Sequence, residues 1–352
     1  MDAFDAAQTI ARGDMADRDM LSQLLEALPE PALIVAGGKV TMSNAAARSL
    51  LGRHIDGGDV RLALRHPAAV ERLLSNESGD ESVELVGVGG LERRWLMSVA
   101  TLDDGSRFVR LANRSEAYAA EQMRVDFVAN ASHELRTPLA TILGYIETLR
   151  EQDEEIDPAT RERFTIIIHD EARRMQRLVE DLISLSRIEA ERFSVPTGAI
   201  ALRPLIEEAA RNCRNPADER GCPVDIDVQA DLPPVAGDRG QLLQLIENLI
   251  SNAIRYGRAG RTIFVKAGLD RNWVHLSVRD EGEGIAPEHI PRVTERFYRV
   301  DPSRSRAQGG TGLGLSIVKH IVERHRGRLR IASCVGEGTT VHVLLPGAEP
   351  LS

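Results

Sequence analysis

Two adjacent residues in this 352-residue sequence, His133 and Glu134, combine a nucleophile with a proton acceptor. A neutral imidazole can attack an electrophile with one ring nitrogen while a neighbouring carboxylate accepts the proton from the other nitrogen. Thr137 follows four residues later, which places its hydroxyl on the same face of a helix as His133. A single histidine at such a position is more often a solvated surface side chain. The prediction of a reactive histidine therefore depends on Glu134 and Thr137.

A second group of polar residues has the chemistry of a nucleotide site. Asn248, Asn252, Arg255 and Tyr256 lie near one face of a predicted helix. The two amides can hold Mg²⁺ and phosphate oxygens, with Asn252 as the candidate metal ligand. The arginine adds positive charge, and the aromatic ring can lie against a purine. Taken alone the pattern is weak, because amides on an exposed helix are usually only solvated.

An acidic turn that ends a predicted strand adds a further candidate. Asp280 is followed by Gly282 and Gly284, so the carboxylate can accept a hydrogen bond from an adenine amino group while the backbone stays close. A tight acidic turn without function is the alternative. The turn before Thr339 leaves two interpretations open, a simple hairpin or the far side of the same pocket.

A glycine-rich run enters a helix at residues 309–315. Its glycines allow a close approach of the backbone to phosphates, and the helix start supplies unpaired amides and a positive dipole end. No Lys-Ser or Lys-Thr pair follows the last glycine, so the run is not a P-loop. The candidate phosphate-binding residues of this run are Gly310, Thr311, Gly312, Leu313 and Gly314.

The sequence predicts two long helices, and His133 lies on the first of them. Apolar residues recur at alternating steps of three and four from Val128 to Leu149 and again from Phe164 to Leu185, which is a heptad pattern. Ser132 lies on the first seam, so His133 faces outward, and Pro138 predicts a bend. One hairpin cannot bury both stripes, so we expect two copies to pair into a four-helix bundle.

The N-terminal part has the pattern of a small α+β domain. Strand-like runs at Ala32–Ala36 and at 39–42 flank a Gly-Gly turn, and Asn44 can cap a helix at Ala45–Leu51. Three further strand-like runs follow between residues 82 and 112. This order of elements resembles a PAS domain, and another small α+β fold is the alternative.

Composition excludes several classes of protein. A formal charge of −9 and a pI near 5.6 argue against a nucleic-acid partner, which would need a basic face. The three cysteines fit no disulfide or metal spacing, which indicates a reducing compartment. No apolar stretch approaches 18 residues, and no signal peptide is recognisable. We expect a cytoplasmic protein, or one at the inner face of the cell membrane if an N-terminal anchor lies outside this sequence.

The segment from Phe127 to Leu139 resembles the H box of the HisKA-type sensor histidine kinases at nearly every position. The resemblance implies that His133 is the phosphoacceptor and that Glu134 is its acid–base partner. It also implies that Thr137 positions water when the same protein dephosphorylates its response regulator.

The segments around Asn248, Asp280, Gly310 and Gly336 are similar, in order and spacing, to the N, G1, G2 and G3 boxes of the ATP-binding domain shared by histidine kinases, gyrase, Hsp90 and MutL. The run that starts at Phe297 resembles the F box of the kinases. By the same resemblance, Pro302–Gln308 would be the ATP lid. Residues 290–301 are most similar to the phosphate-regulon sensor kinases of the PhoR type. The resemblance implies ATP and Mg²⁺ as cofactors.

We therefore expect a multidomain chain: a polar segment at 1–20, a PAS-like sensor domain at 21–113, a dimeric helical hairpin for phosphotransfer at 114–192, and an α/β sandwich that binds ATP at 193–348. The expected function is autophosphorylation of His133, transfer to an aspartate of a response regulator and dephosphorylation of that regulator, with phosphate sensing as the candidate input. A gyrase- or Hsp90-like clamp ATPase is one alternative, disfavoured by the H and F boxes. A non-catalytic scaffold is another, disfavoured because every box is intact.

Overall fold

The computed structural model describes residues 19–75, 82–151, 156–191, 194–301 and 310–348. Most of the polar segment at 1–20 and the whole of the predicted lid at Pro302–Gln308 lie outside these residues. The chain divides into two units, Met1–Asp126 and Phe127–Ser352, which are described in turn.

The first unit is built on a five-stranded antiparallel sheet with the order β2-β1-β5-β4-β3. The Gly-Gly turn between β1 and β2 is confirmed, since Gly37 and Gly38 have φ of 56° and 75°, values that favour glycine. The elements are α1 (residues 19–26), β1 (Ala32–Ala36), β2 (Lys39–Ser43), α2 (Ala45–Leu51), α3 (Val60–Leu64), α4 (Pro67–Leu74), β3 (Val83–Val86), β4 (Arg94–Thr101) and β5 (Arg107–Asn113).

Asn44 joins the sheet, helix α2 and the segment before β1. Its side-chain oxygen accepts hydrogen bonds from the amides of Ala47 and Ala32, at 2.8 Å and 3.0 Å. Its side-chain nitrogen donates to the carbonyls of Leu28 and Glu30. The side chain is completely buried. The predicted N-cap is therefore confirmed, and the same residue also satisfies backbone groups that have no strand partner.

Two long helices follow, α5 (Ser115–Glu151) and α6 (Pro158–Ala190). Helix α5 continues through Pro138, and α6 begins where the Asp157 side chain accepts from two backbone amides of the first turn. Many apolar side chains on both helices are exposed in the single chain: Val128, Leu139, Leu143, Ile146, Ile166, Val179 and Ile183.

The rest of the second unit, called here the α/β part (residues 194–348), contains a sheet with the order β11-β12-β10-β9-β7, in which only β7 and β9 are parallel. Strands β6 and β8 form a separate pair. The elements are β6 (Gly198–Ile200), α7 (Leu202–Asn212), α8 (Arg214–Glu219), β7 (Val224–Val228), β8 (Val235–Gly237), α9 (Arg239–Tyr256), β9 (Ile263–Asp270), β10 (Trp273–Arg279), α10 (Gly314–Arg324), β11 (Arg328–Cys334) and β12 (Gly338–Pro346).

Helix α6 shares its apolar side chains with this α/β part. Leu178, Leu185 and Ile188 are buried in the same hydrophobic cluster as the residues of α7, α9 and α10. The heptad pattern assigned Leu178 and Leu185 to a seam between helices, and the structure shows that the seam also packs on the α/β part. Buried Arg324 adds hydrogen bonds to the carbonyls of Glu191 and Ser194.

Within the described ranges, no helix is both long enough and apolar enough to cross a lipid bilayer.

Replacing Asn44 with Ala is expected to lower the free energy of unfolding of the first unit by about 3 kcal/mol. The helix loses its cap, and buried carbonyl and amide groups lose their partners. Urea unfolding of the full chain, monitored by circular dichroism, measures this change in the free energy of unfolding.

Asp59 provides the matched control, because it caps α3 through a single bond to the amide of Arg61 and its side chain is 45% exposed. Asp59→Ala should cost only about 1 kcal/mol. Equal losses in the two variants would show that the buried network of Asn44 contributes nothing beyond an ordinary cap.

Candidate functional site

His133 lies on the exposed side of α5, as the heptad pattern predicts. The Thr137 hydroxyl, one turn further on, donates to the His133 carbonyl oxygen at 3.3 Å. Pro138 lies within α5, and its side chain is buried. Proline has no N–H group, so it cannot donate to the carbonyl oxygen of Glu134. The imidazole is thus open to an incoming group, while the turn that carries it is locally irregular in its hydrogen bonding.

Glu134 is held by two arginines from different parts of the second unit. Its Oε2 accepts from Nη2 of Arg299 at 2.9 Å and from Nη2 of Arg174 at 3.2 Å. Arg174 lies on α6, whereas Arg299 belongs to the α/β part. Both arginine side chains are at least nine-tenths buried. The residue next to the candidate nucleophile is therefore the point where the helices and the α/β part meet.

Arg299 also reaches the glycine-rich run. Its Nη2 donates to the carbonyl oxygen of Gly310 at 2.8 Å. Next to it, the Thr311 hydroxyl donates to Oδ2 of Asp181, a residue of α6, at 2.8 Å, and accepts from the amide of Leu313 at 3.3 Å. The start of α10 is thus connected to α6 through a short chain of hydrogen bonds.

The Asp280 carboxylate is fixed by backbone amides at the end of β10. Oδ1 accepts from Gly282 at 2.8 Å and from Thr339 at 3.2 Å. Burial raises the pKa of Asp280 above the usual carboxyl value, and the two amide hydrogen bonds oppose that rise. Both bonds use the same oxygen, so the second oxygen of this buried carboxylate is available to a ligand donor.

The glycines beside Asp280 are required by close backbone packing. A Cβ on Gly284, which has φ of +71°, would lie 2.0 Å from the Cys334 carbonyl oxygen. A Cβ on Gly282 would lie 2.3 Å from the Tyr256 carbonyl oxygen. Glycine therefore lets the acidic turn lie directly against α9 and the turn between β11 and β12.

The four residues predicted on α9 all line one cavity of about 400 Å³. The side-chain nitrogen of Asn248 is buried and has no hydrogen-bond partner among the described residues, so it can donate to a phosphate oxygen. Asn252 is its neighbour one turn on. Burial lowers the pKa of the Arg255 guanidinium, which hydrogen-bonds with Tyr256. An orphaned amide, a buried carboxylate and a lining arginine fit a nucleotide with its metal ion.

Phe297 does not line the cavity but supports its wall. It has φ of +62°, and its amide donates to the carbonyl oxygen of Gly312 at 2.9 Å. A Cβ on Gly312 would lie 2.9 Å from the Phe297 Cα. The Phe297 ring packs against Phe127 of α5 with 6.0 Å between ring centroids. The strained phenylalanine therefore joins the glycine-rich run to the helix that carries His133.

The structure brings most of the predicted site residues together. Those that line the cavity are Asn248, Asn252, Arg255, Tyr256, Asp280, Gly284, Thr311, Gly312, Gly314 and Thr339. Those that lie outside its lining are His133, Glu134, Thr137, Gly282, Phe297, Gly310 and Leu313. Leu313 is fully buried and acts in the core.

Three residues on α6 were missed by the sequence reasoning. Arg174 holds Glu134, while Arg177 and Asp181 line the cavity. In the sequence, each of these residues looks like an ordinary charged residue on the solvated face of a helix. Glu171, which interrupts the heptad pattern, was the available signal, because it pairs with Arg174 at 3.6 Å.

Comparison with protein families gives two matches. Residues 123–191 match the family described as "His Kinase A (phospho-acceptor) domain". Residues 237–349 match the family described as "Histidine kinase-, DNA gyrase B-, and HSP90-like ATPase".

Individual proteins extend the similarity over nearly the whole chain. The phosphate regulon sensor protein PhoR of Pseudomonas aeruginosa is 33% identical over 96% of this chain and 78% of its own length. The sensor protein SrrB of Staphylococcus aureus is 35% identical over 68% of this chain and 41% of its own length. Among solved structures, the histidine kinase AdeS of Acinetobacter baumannii aligns at 23% identity with a TM-score of 0.49, over 62% of this chain and 98% of that chain.

A match to a kinase phosphoacceptor domain, a match to an ATPase domain of the histidine-kinase type and a relative aligned over 96% of this chain thus coincide with the helices and the cavity described above. The chain belongs to the sensor histidine kinases of two-component systems and is of the PhoR type.

Proposed function

We propose that this kinase transfers the γ-phosphoryl group of ATP to His133 and then to an aspartate of a response regulator. The observation that carries the assignment is the pairing of Glu134 with Arg299. Arg299 lines the cavity that also contains Asn252 and Asp280, so the carboxylate beside the nucleophile is coupled directly to the nucleotide site.

Each part of the cavity has a separate task in this proposal. Asp280 accepts a hydrogen bond from the adenine amino group, and Asn248 donates to a phosphate oxygen. The amide oxygen of Asn252 is the proposed Mg²⁺ ligand. Bound Mg²⁺ would neutralise part of the charge on the phosphates. Thr311, Gly312 and the start of α10 offer donors and close backbone approach to the same phosphates.

Glu134 acts as the proton acceptor only after it leaves the arginines. One of its oxygens accepts from both Arg174 and Arg299, and the imidazole of His133 must compete with them for the carboxylate. We therefore infer that the α/β part moves relative to α5 before His133 is phosphorylated. The described arrangement is the resting one in this account.

Thr137 is proposed to serve dephosphorylation of the regulator. Its hydroxyl hydrogen is used in the bond to the His133 carbonyl, and its oxygen remains able to accept from a water molecule. A water held there lies beside His133 on the face that a docked regulator would approach. The kinase step itself needs no hydroxyl at this position.

A homodimer is the proposed assembly. Val128, Leu139 and Ile146 on α5 are 39% to 59% exposed in the single chain. Exposed apolar side chains at heptad spacing are the ordinary signature of helices that pack against another copy. A four-helix bundle made by two hairpins would bury them.

The proposed domain boundaries are 21–113 for a PAS-like sensor, 114–192 for the phosphotransfer hairpin and 193–348 for the ATP-binding domain. Small helices between β2 and β3 and a five-stranded antiparallel sheet support the PAS-like assignment. The similarity to a phosphate regulon sensor protein supports phosphate supply as the input signal.

Replacing His133 with Gln should abolish autophosphorylation from γ-labelled ATP while nucleotide affinity stays at the wild-type level. The phosphoacceptor and the cavity are formed by different residues, so only the acceptor is lost. Label on the wild type should be labile in acid and stable in base, as a phosphoramidate is.

His169→Gln is the matched control, because His169 is also exposed, lies on α6 and has an adjacent carboxylate, Asp170. This variant should label normally. Label on the His133→Gln protein, or acid-stable label on the wild type, would refute the assignment.

Replacing Thr137 with Ala should leave autophosphorylation and phosphotransfer within about twofold of wild type and should prolong the life of the phosphorylated regulator at least about tenfold. The estimate follows from the loss of one group that positions a reacting water. The decay of labelled regulator in the presence of kinase and ADP measures it.

Thr141 makes the same bond to the carbonyl of Thr137 that Thr137 makes to His133. Thr141→Ala therefore tests whether loss of a helical backbone bond explains the effect, and it should change neither activity. Equal loss of the kinase and phosphatase activities in Thr137→Ala would contradict the assigned role.

A further inference from the structure

Asp181 belongs to α6 of the phosphotransfer hairpin, and yet its carboxylate lies in the nucleotide cavity of the α/β part. The contact is specific, because Oδ2 accepts from the hydroxyl of Thr311 at 2.8 Å. Thr311 is itself buried and lies in the glycine-rich run. The helix that pairs with α5 thus contributes an anion to a site whose ligand is anionic.

The surroundings of this carboxylate are those expected of a phosphate. The Thr311 hydroxyl accepts from the Leu313 amide at the start of α10, so Asp181 terminates a chain of donors at a helix N-terminus. The positive charges of Arg255 and Arg177 act on Asp181 against the negative charge of Glu180, and all three residues line the same cavity. The Thr311 hydroxyl, the start of α10 and the two arginines thus form an anion-binding site. The carboxylate of Asp181 occupies this site.

Burial makes this arrangement costly for the protein. Burial raises the pKa of the Asp181 carboxyl, against the hydrogen bond from Thr311 and the charges of Arg255 and Arg177. The carboxylate is therefore imperfectly compensated in the cavity, and a better anion could replace it there.

We propose that Asp181 is an internal substitute for a terminal phosphate of the nucleotide and competes with it for Thr311. The inference rests on the proposed ATP site and adds a residue that controls which nucleotides bind tightly. A nucleotide with a polyphosphate has to displace the carboxylate, whereas adenosine needs only the region of Asp280 and is not opposed. By linkage, polyphosphate binding weakens the contact between α6 and the α/β part by the same factor.

Asp181→Asn tests the proposal, because the amide oxygen still accepts from Thr311 while the charge is lost. The affinities of the full chain for ATP and for adenosine are measured with Mg²⁺ by calorimetry or by displacement of a fluorescent analogue. The variant should bind ATP roughly tenfold more tightly than the wild type, a size typical of coupling between sites. Its affinity for adenosine should stay unchanged.

Asp170→Asn is the charge-matched control, since Asp170 lies on the exposed face of the same helix, and it should alter neither affinity. If Asp181→Asn does not fold by circular dichroism, Asp181→Ser must show the same order of affinities. Unchanged or weaker ATP binding would overturn the proposal. A wild-type protein that binds no ATP would refute the ATP site itself, which is a different outcome.

Discussion

The ion pair between Glu134 and Arg299 is the contact that joins the neighbour of His133 to the cavity of the α/β part. One carboxylate oxygen serves both Arg299 and Arg174, and the two guanidiniums are at least nine-tenths buried. Buried charges of this kind are tolerated only when they are paired, and removal of one partner leaves an uncompensated charge that costs several kcal/mol. Arg299 additionally holds the Gly310 carbonyl, and Arg174 holds Glu171. Glu134 beside His133, the second helix and the glycine-rich run are therefore parts of one electrostatic network.

Two further contacts act in the same direction. Phe127 of α5 packs on Phe297, and Asp181 of α6 accepts from Thr311. If the proposed function is correct, the proton acceptor Glu134 is bound by Arg299, and Asp181 occupies the phosphate site at Thr311. Both groups are therefore blocked by residues of the protein itself while the α/β part contacts the helices. In that proposal, entry of a nucleotide polyphosphate would displace Asp181, and release of Arg299 would free Glu134 for His133. A single movement of the α/β part away from α5 and α6 would accomplish both proposed changes.

Local rules in the sequence predicted a large part of this structure. The heptad pattern placed His133 on the exposed face of α5, the Gly-Gly turn and Asn44 defined the first hairpin and its helix, and glycine spacing identified the acidic turn at Asp280. The distant partners of Arg174 and Asp181 could not be identified from the sequence, because a charged residue on a helix gives no indication of which remote residue it contacts, and the break in the heptad pattern at Glu171 indicates only the pairing with Arg174. Leu178 and Leu185 show the same limit, since an apolar stripe indicates that something is buried but does not name the partner.

A double-mutant cycle on Glu134 and Arg299 tests the central ion pair most directly. Glu134→Gln, Arg299→Gln and the double variant are compared with the wild type by urea unfolding, following the transition of residues 127–352. The account predicts that the two substitutions are coupled by at least about 1.5 kcal/mol, because a charged hydrogen bond between shielded groups is lost only once in the double variant. Effects that add to within about 0.5 kcal/mol would show that the pair does not hold the α/β part on the helices.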